Sequence, residues 1–584
     1  MSESARNSVG FVLIFLALLA IYLPSLGHIP VFDDRLLTSG ELFSSYGLWS
    51  ELKPRWLSYG SFVWVRDLLG EAWPAQRVFN LVVHGLVVFA LWGFYRTLLR
   101  SIQAPADAEA PQDYARSPAL LLGVGFFALN PVAVYAVAYL IQRSILMATL
   151  FALLSLWAFT RALGGGRPWL FGFALAAYGL AVLSKEHAVL LPLAAVPVYL
   201  LVARPAGRQL ALMAGVSGAL VAIVAGVLAM RYGEIIGKPF DEYSRIYLAQ
   251  LTALGEGVEA NSYLLSIVNQ MGLFFKYGMY WLVPNPGWMS IDLRPPFPLS
   301  VTAWPQVLGL AGYLGVLVGG FYLILRHRDW RALVGVSVLM PALLFMTEFS
   351  TVWVQDPFVL YRSYLWAIGL PGLVFFLFHG MSARSLAGLG VVIGMALAWL
   401  SLDRVDALST PEKVWSDAIA KLSNEPNAVG RWFPYLNRAI VYLEAERPNE
   451  AIKDFAASDA LGDQGMGAYN IGALLAMAGR YPESLQYLDQ ASGKGFDQPS
   501  LDYQRGVALY GVGRMEDAWA SFEKALARAT APEFRISVLS ALIKLSSEQG
   551  RVDRAKGYLA EALRVAPDHP RAEAWRTALR DLAG

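Results

Sequence analysis

The sequence predicts an all-α protein in two parts, a polytopic membrane domain followed by a soluble α-solenoid. Three observations carry that prediction. First, 56% of the 584 residues are hydrophobic and only 16% are charged, against roughly a quarter charged in soluble chains. Second, the apolar residues gather into runs of membrane-spanning length that stop near residue 403, and mean hydropathy over the chain is +0.44. Third, from about residue 432 a pattern with a period near 34 takes over, the length of a repeated helix pair. The expected domains are therefore 1–403 in the membrane, a linker helix over 404–431, and a solenoid over 432–584. A net charge of +2 without a basic run argues against nucleic acid. The chain has no cysteine, which excludes disulfides, thiol nucleophiles and thiolate zinc sites. Its six histidines include no pair at metal-binding spacing, so no metal ligands are assigned.

Taken in order, the first apolar run, about Val9 to Ile29, is too long for most signal-peptide cores and lacks a small-residue cleavage site; it reads as an uncleaved span. Further spans are expected near 77–98, 118–136, 144–162, 168–184, 187–203, 209–230, 301–325, 332–348, 364–380 and 385–402, about eleven crossings in all. Arg96, Arg100, Arg116, Arg161, Arg167, Arg204, Arg208, Arg326, Arg328, Arg331 and Arg384 all fall in loops on the side of the N-terminus. That side is cytoplasmic by the positive-inside rule, and the residues after about 403 are extracytoplasmic. A crossing over 263–283 would reverse the later basic loops. With Pro284-Asn285-Pro286-Gly287 behind it, that segment is expected to be re-entrant or interfacial.

The C-terminal repeats match the tetratricopeptide (TPR) pattern. Ala451, Ser484, Ala518 and Ala555 hold the small position of the second helix, at spacings of 33, 34 and 37. Phe455, Leu488, Phe522 and Leu559 follow four residues on, then Ser458, Ala491, Ala525 and Ala562; Ala439, Gly472, Gly506 and Ile543 precede by twelve. About four such repeats give a short superhelix with a concave groove suited to an extended peptide.

Charged residues at span ends need a reason, because the bilayer penalises them. On the outer side the first loop carries Asp33 and Asp34, and short turns carry Arg143 and Lys185; Asp356 and Arg362 come later. This combination suits transfer of a sugar from a lipid phosphate to a hydroxyl. A carboxylate takes the hydroxyl proton, and cations hold the phosphate as its charge grows. Asp33 and Asp34 are the catalytic candidates, and Arg143, Lys185 and Arg362 the phosphate candidates. Asn80 and His84, four apart on one helix face, are placed to hydrogen-bond a carboxylate or the sugar. Each has a plainer reading: Asp33-Asp34 as a helix cap, Arg143 and Lys185 as snorkelling anchors, Asn80 and His84 as an interhelical pair, Arg362 as a partner of Asp356.

At these residues the chain resembles the GT-C glycosyltransferases, and more closely the transmembrane-and-TPR protein O-mannosyltransferases and their bacterial relatives. The resemblance rests on Phe32-Asp33-Asp34, Lys53-Pro54-Arg55, Asn80 to His84, Asn130-Pro131-Val132, Gln142-Arg143-Ser144, Lys185-Glu186, Pro284-Asn285-Pro286, Phe297-Pro298 and Arg362-Ser363-Tyr364, in that order, ahead of the repeats. It implies a GT-C membrane domain that moves one sugar, with inversion, from a polyprenyl-phosphate donor to a Ser or Thr hydroxyl of an exported protein held by the TPR groove. It implies Asp33 as base with Asp34 assisting, adds Arg55 to the phosphate candidates, and adds Gln142 and Glu186 to Asn80 and His84 as sugar or acceptor ligands. No cofactor is required, and a divalent metal is possible but not indicated. The expected location is the inner (cytoplasmic) membrane, with the N-terminus cytoplasmic and the repeats periplasmic. The chain departs from the family at Asn130, Tyr135 and Tyr361, and an Arg usual near 263–283 has no assigned match. Mannose is therefore not carried over. The alternatives are transfer to a glycan or lipid acceptor, and a non-enzymatic TPR scaffold for envelope or pilus assembly. A transporter finds little support, because the polar residues gather at one face.

Overall fold

The computed structural model describes residues 3–47, 51–102, 114–233, 236–239 and 242–583. Two compact units divide at Val429 and Gly430. Among the described residues every regular element is helical, apart from a single antiparallel bridge between Leu293 and Phe358.

In the first unit, nine helices among the described residues are long and apolar enough to cross a membrane: Asn7–Gly27, Trp73–Leu99, Leu140–Leu163, Glu186–Ala203, Gly207–Met230, Gln306–Arg326, Trp330–Phe349, Leu360–Phe378 and Ala383–Ala407. Burial sorts them. Leu360–Phe378 has 78% of its most apolar stretch buried, whereas Gly207–Met230 has 6%. The first therefore runs through the centre of the bundle, and the second presents an apolar surface such as lipid would cover. Two expected crossings look different. The 168–184 segment is a helix of only 16 residues, Trp169–Ser184. The 118–136 segment is broken into Pro118–Ala128 and Pro131–Val137, bent by 57°. Pro131 causes the break, since it lacks an N–H and keeps Asn130 extended at φ −70°, ψ 134°.

The segment near 263–283, expected to be re-entrant or interfacial, forms one unbroken helix, Ser262–Leu282. Its contacts lie along one end of the bundle. Ser266 bonds the Thr351 carbonyl and Gln270 the Pro357 carbonyl. Phe274 packs on Tyr313 and Phe345, and Trp281 bonds Ser363. These partners sit within about two turns of the ends of three candidate spans. Its close approach to Gln306–Arg326 needs glycine at 309, since a Cβ there would lie 2.3 Å from the Gly272 Cα.

The second unit is a row of helix pairs: Phe433–Glu444 with Pro448–Ala460, Met466–Met477 with Tyr481–Gly493, Pro499–Gly511 with Met515–Arg528, and Pro532–Glu548 with Val552–Val565, followed by Ala572–Ala583. The register positions are the packed ones. Ala451, Ser484, Ala518 and Ala555 are fully buried, and so are Ser458, Ala491, Ala525 and Ala562. Only Ile543 of the sixteen is half-buried. Gly506 admits the Phe522 ring, to which a Cβ would come within 2.6 Å. Each pair closes its apolar face on the next, as a solenoid requires.

Candidate functional site

The break at Asn130 leaves backbone groups that the surrounding helices must satisfy. Asn130 caps its own new helix by accepting from the Val132 N–H at 3.1 Å, and donates to the Trp281 carbonyl at 2.9 Å. The Ala128 carbonyl lies 3.1 Å from His84 Nε2, and the Leu129 carbonyl accepts from the Ser401 hydroxyl at 2.8 Å. A carbonyl can only accept, so Nε2 carries the proton and Nδ1 accepts from the Tyr364 hydroxyl. His84 is fully buried, and both its nitrogens are used.

One turn earlier, Asn80 donates to the Val137 and Leu140 carbonyls at 3.3 and 3.2 Å and accepts from Arg143 Nε at 2.7 Å. Arg143 is 0% exposed. Its other nitrogens donate to the Ser61 hydroxyl at 3.3 Å and to the Gln76 carbonyl and side chain, both at 2.8 Å. Phe62 and Phe79 flank the guanidinium at 3.6 and 4.6 Å. The polar atoms of Arg143, Asn80 and His84 are met by protein partners, and all three hold the 128–143 stretch to its neighbours.

The acidic pair divides in the same way. Phe32 has φ +50°, a left-handed conformation in a residue other than glycine, at a cost on the order of 1–3 kcal/mol. After that turn the two aspartates meet different surroundings. Asp34 is 0% exposed, and its two oxygens accept from the N–H groups of Val31 at 3.1 Å and Ile141 at 2.8 Å. It stitches the first loop to the 139–142 turn, each of its oxygens accepting one backbone N–H. Burial pushes its carboxyl up to about 7, against the pull of those two N–H groups and Arg77. Asp33 is only half-buried. Its backbone N–H donates to the Tyr139 hydroxyl at 3.0 Å. Burial and then the neighbouring Asp356 raise its carboxyl above the ordinary range, while Tyr139, Arg35 and Arg55 pull it down.

Around Asp33 runs a chain of charges. Arg55 grips Glu186 with two nitrogens at 2.6 and 3.1 Å and gives a third to the Tyr59 hydroxyl at 2.8 Å. His187 lies 3.6 Å from Glu186 and 3.2 Å from Glu348. Glu348, whose side chain is 0% exposed, accepts from Arg362 at 3.2 Å; Arg362 also lies 3.8 Å from Asp356 and stacks on Trp353 at 3.8 Å. Lys185 is buried, with Gln142 at 3.2 Å, Ser144 at 3.4 Å and the Tyr361 ring at 5.0 Å. Burial first, then Arg55 and Arg362, bring its ammonium down to about 7 against Glu186 and Glu348. Tyr361 also packs on Tyr139 at 6.1 Å, which links Lys185 to the Asp33 loop. Thus Asp33, Lys185, Arg362, Arg55, Glu186 and Gln142 converge, whereas Arg143, Asn80, His84 and Asp34 lie in the walls.

Sequence reasoning missed Glu348. Its signal was a lone carboxylate at the end of an apolar span, which calls for a cation. Tyr139 was also missed and carried no signal, because its hydroxyl matters only through the loop it touches. Near the same place Arg294 pairs with Asp292 at 2.7 and 3.1 Å and with the Gln355 carbonyl. A cavity of about 920 Å³, lined mainly by apolar groups and by Asn269, Lys276, Ser300, Gln306, Glu425 and Asn427, opens between Ser262–Leu282 and the start of Gln306–Arg326. Lys276 stands 5.1 Å over Phe358, two residues from Asp356. Among the described residues, no three His, Cys, Asp or Glu side chains gather to hold a metal ion.

No family model matches the chain, and no curated protein matches it. A solved structure that aligns with it is the crystal structure of the APC/C hetero-tetramer Cut9-Hcn1, at 12% identity over 94% of this chain and 95% of that one. Its TM-score of 0.26 carries no argument about fold or function.

Proposed function

We propose that the first unit is a GT-C-type membrane glycosyltransferase acting on a polyprenyl-phosphate sugar. In this reading the second unit presents a Ser or Thr of an exported protein to it. The observation that carries the reading is the convergence of one half-buried carboxylate, Asp33, with two buried cations, Lys185 and Arg362, through Tyr139 and Tyr361. Asp33 takes the hydroxyl proton as the oxygen attacks the anomeric carbon. The bond from that carbon to the phosphate oxygen breaks on the opposite face, and the polyprenyl phosphate leaves with inversion at carbon. Lys185 and Arg362 stabilise the charge that gathers on the leaving phosphate. Gln142 orients Lys185, and the Arg55–Glu186 pair holds the first loop against the 184–187 turn. The mainly apolar cavity beside Lys276 is the place this reading gives to the prenyl chain. The bundle end bearing Asp33 faces out of the cytoplasm, in the inner membrane.

The test is intact mass spectrometry of exported proteins from cells carrying the wild-type gene, Asp33→Asn, or a deletion. Loss of one sugar-sized mass in both altered strains is expected. An unchanged mass profile overturns a protein acceptor and moves the weight to a glycan or lipid acceptor, or to a scaffold without chemistry.

A further inference from the structure

The chain that leaves the last candidate span folds back onto the acidic loop. A short helix, Pro411–Ile419, starts at Thr410, whose hydroxyl accepts from the Lys413 N–H at 3.2 Å. It buries Val414, Trp415 and Ala418. The Trp415 ring meets Phe32 edge-on, with centroids 5.1 Å apart at 87°. Tyr139 stacks on Phe32 at 6.4 Å and 25°, and its hydroxyl receives the Asp33 N–H. Phe32, with φ +50°, is thus held in its unfavourable conformation by one ring from the bundle and one from this helix.

The helix is firmly placed. Arg404 bonds both oxygens of Asp417 at 3.0 and 3.2 Å. Lys421 reaches the same carboxylate and, at 2.8 Å, the Met289 carbonyl. Asn427 and Phe297 exchange two hydrogen bonds at 2.9 and 2.8 Å. All of this lies within the first unit, which runs to Val429.

We infer that Trp415 is a positioning residue for Asp33 and that residues 411–429 belong to the catalytic unit. The inference rests on the reading of Asp33 as the base. Without the Trp415 ring, Phe32 relaxes towards the negative-φ conformations that side chains prefer, which turns the following peptide and carries the Asp33 carboxylate away from the acceptor hydroxyl. Glycine adopts positive φ without penalty. Replacing Phe32 by glycine therefore restores modification lost with Trp415 if conformation is the cause, whereas a role in fold stability alone shows as modification that follows the melting temperature across the variants.

The experiment places full-length variants in cells lacking the gene. It reads the fraction of exported protein carrying the added sugar mass, and the melting temperature of each purified variant in detergent. Trp415→Ala is expected to lower modification about tenfold or more, because small misplacements of a reacting group are costly. Trp415→Phe should keep most of the modification, and Phe32→Gly in the Trp415→Ala background should restore about threefold, since glycine removes the conformational penalty. Wild-type modification by Trp415→Ala overturns the inference, and so does a folded Trp415→Ala protein that Phe32→Gly fails to rescue. If Trp415→Ala does not accumulate, Trp415→Leu keeps apolar volume without the ring edge and takes its place with the same expected outcomes. Asp33→Asn runs alongside: full modification by that variant overturns the reading of the base itself, whereas its loss together with an unaffected Trp415→Ala overturns only the positioning role.

Discussion

Two polar clusters lie near one end of the first unit, and they are built on opposite principles. In the cluster of Asn80, His84 and Arg143, the polar atoms are matched by carbonyls, amides and hydroxyls, and the one cation is held by neutral acceptors and aromatic faces. In the cluster of Asp33, Lys185 and Arg362, carboxylates and cations lie near one another with part of their capacity open, and Asp33 and Asp356 remain partly exposed. The first arrangement saves the free energy that unpaired buried groups would cost. The second leaves potential aimed at whatever enters. Partner saturation, more than residue type or depth, separates wall from site.

The sharpest way to break that distinction is to change one aspartate at a time. Asp33→Asn should lower transfer by about 10²–10⁴-fold, the range for a general base, while the melting temperature stays at the wild-type value. Asp34→Ala should instead strand two buried N–H donors and destabilise the fold by about 2–4 kcal/mol, seen by calorimetry of the purified protein. Equal effects of the two on rate would erase the distinction.

Next in size is Arg143→Ala. It should cost about 3 kcal/mol through stranded acceptors and lost packing, measured as thermal stability, and leave donor KM unchanged in whatever folds. A rise in KM at constant stability would return Arg143 to the phosphate site.

Two pH dependences sharpen the comparison further. The Lys185 ammonium is brought down to about 7, so the unliganded site loses its proton above that pH. Donor KM should rise about fivefold between pH 7 and 8, the ratio of protonated fractions for such a group, and Lys185→Arg should flatten the rise. Asp34 has its carboxyl raised from 3.8 to about 7. The folded state therefore binds that proton more tightly than the unfolded chain does. Its contribution to stability is full below about 3.8 and is lost as pH rises through about 7. Melting temperature should accordingly gain as pH falls from about 8 to 5, and Asp34→Asn should weaken that slope.

The smallest expected effect is that of His84→Phe. It leaves the Ala128 carbonyl without its donor, at about 1–2 kcal/mol, with kcat unaltered. A separate cut follows from the boundary at Val429. A chain ending there keeps Trp415 against Phe32, whereas one ending near residue 410 loses it. Only the chain ending at Val429 isolates what the repeats contribute to acceptor choice, read as modification of exported proteins.

The sequence by itself determined the helical class, the succession of apolar helices and the register of the repeats. Each is written in local periodicity: apolar runs of fixed length, and small and aromatic residues returning every 33 to 37 positions. It also marked the stretches from which the polar residues come, because charge at a span end is rare enough to stand out. Tertiary structure decided which of those residues keep polar capacity open and which are enclosed by protein partners. Asn80 and Arg143 looked as available as Lys185 until the carbonyls of 137–140 and the side chain of Gln76 closed around them. Asp34 matched Asp33 until the left-handed turn at Phe32 set it against the Ile141 N–H. Glu348 and Tyr139 entered only through partners more than ten residues away along the chain. Whether a buried polar group is spent or open depends on every atom within hydrogen-bond reach, and most of those atoms come from distant segments that no local pattern records.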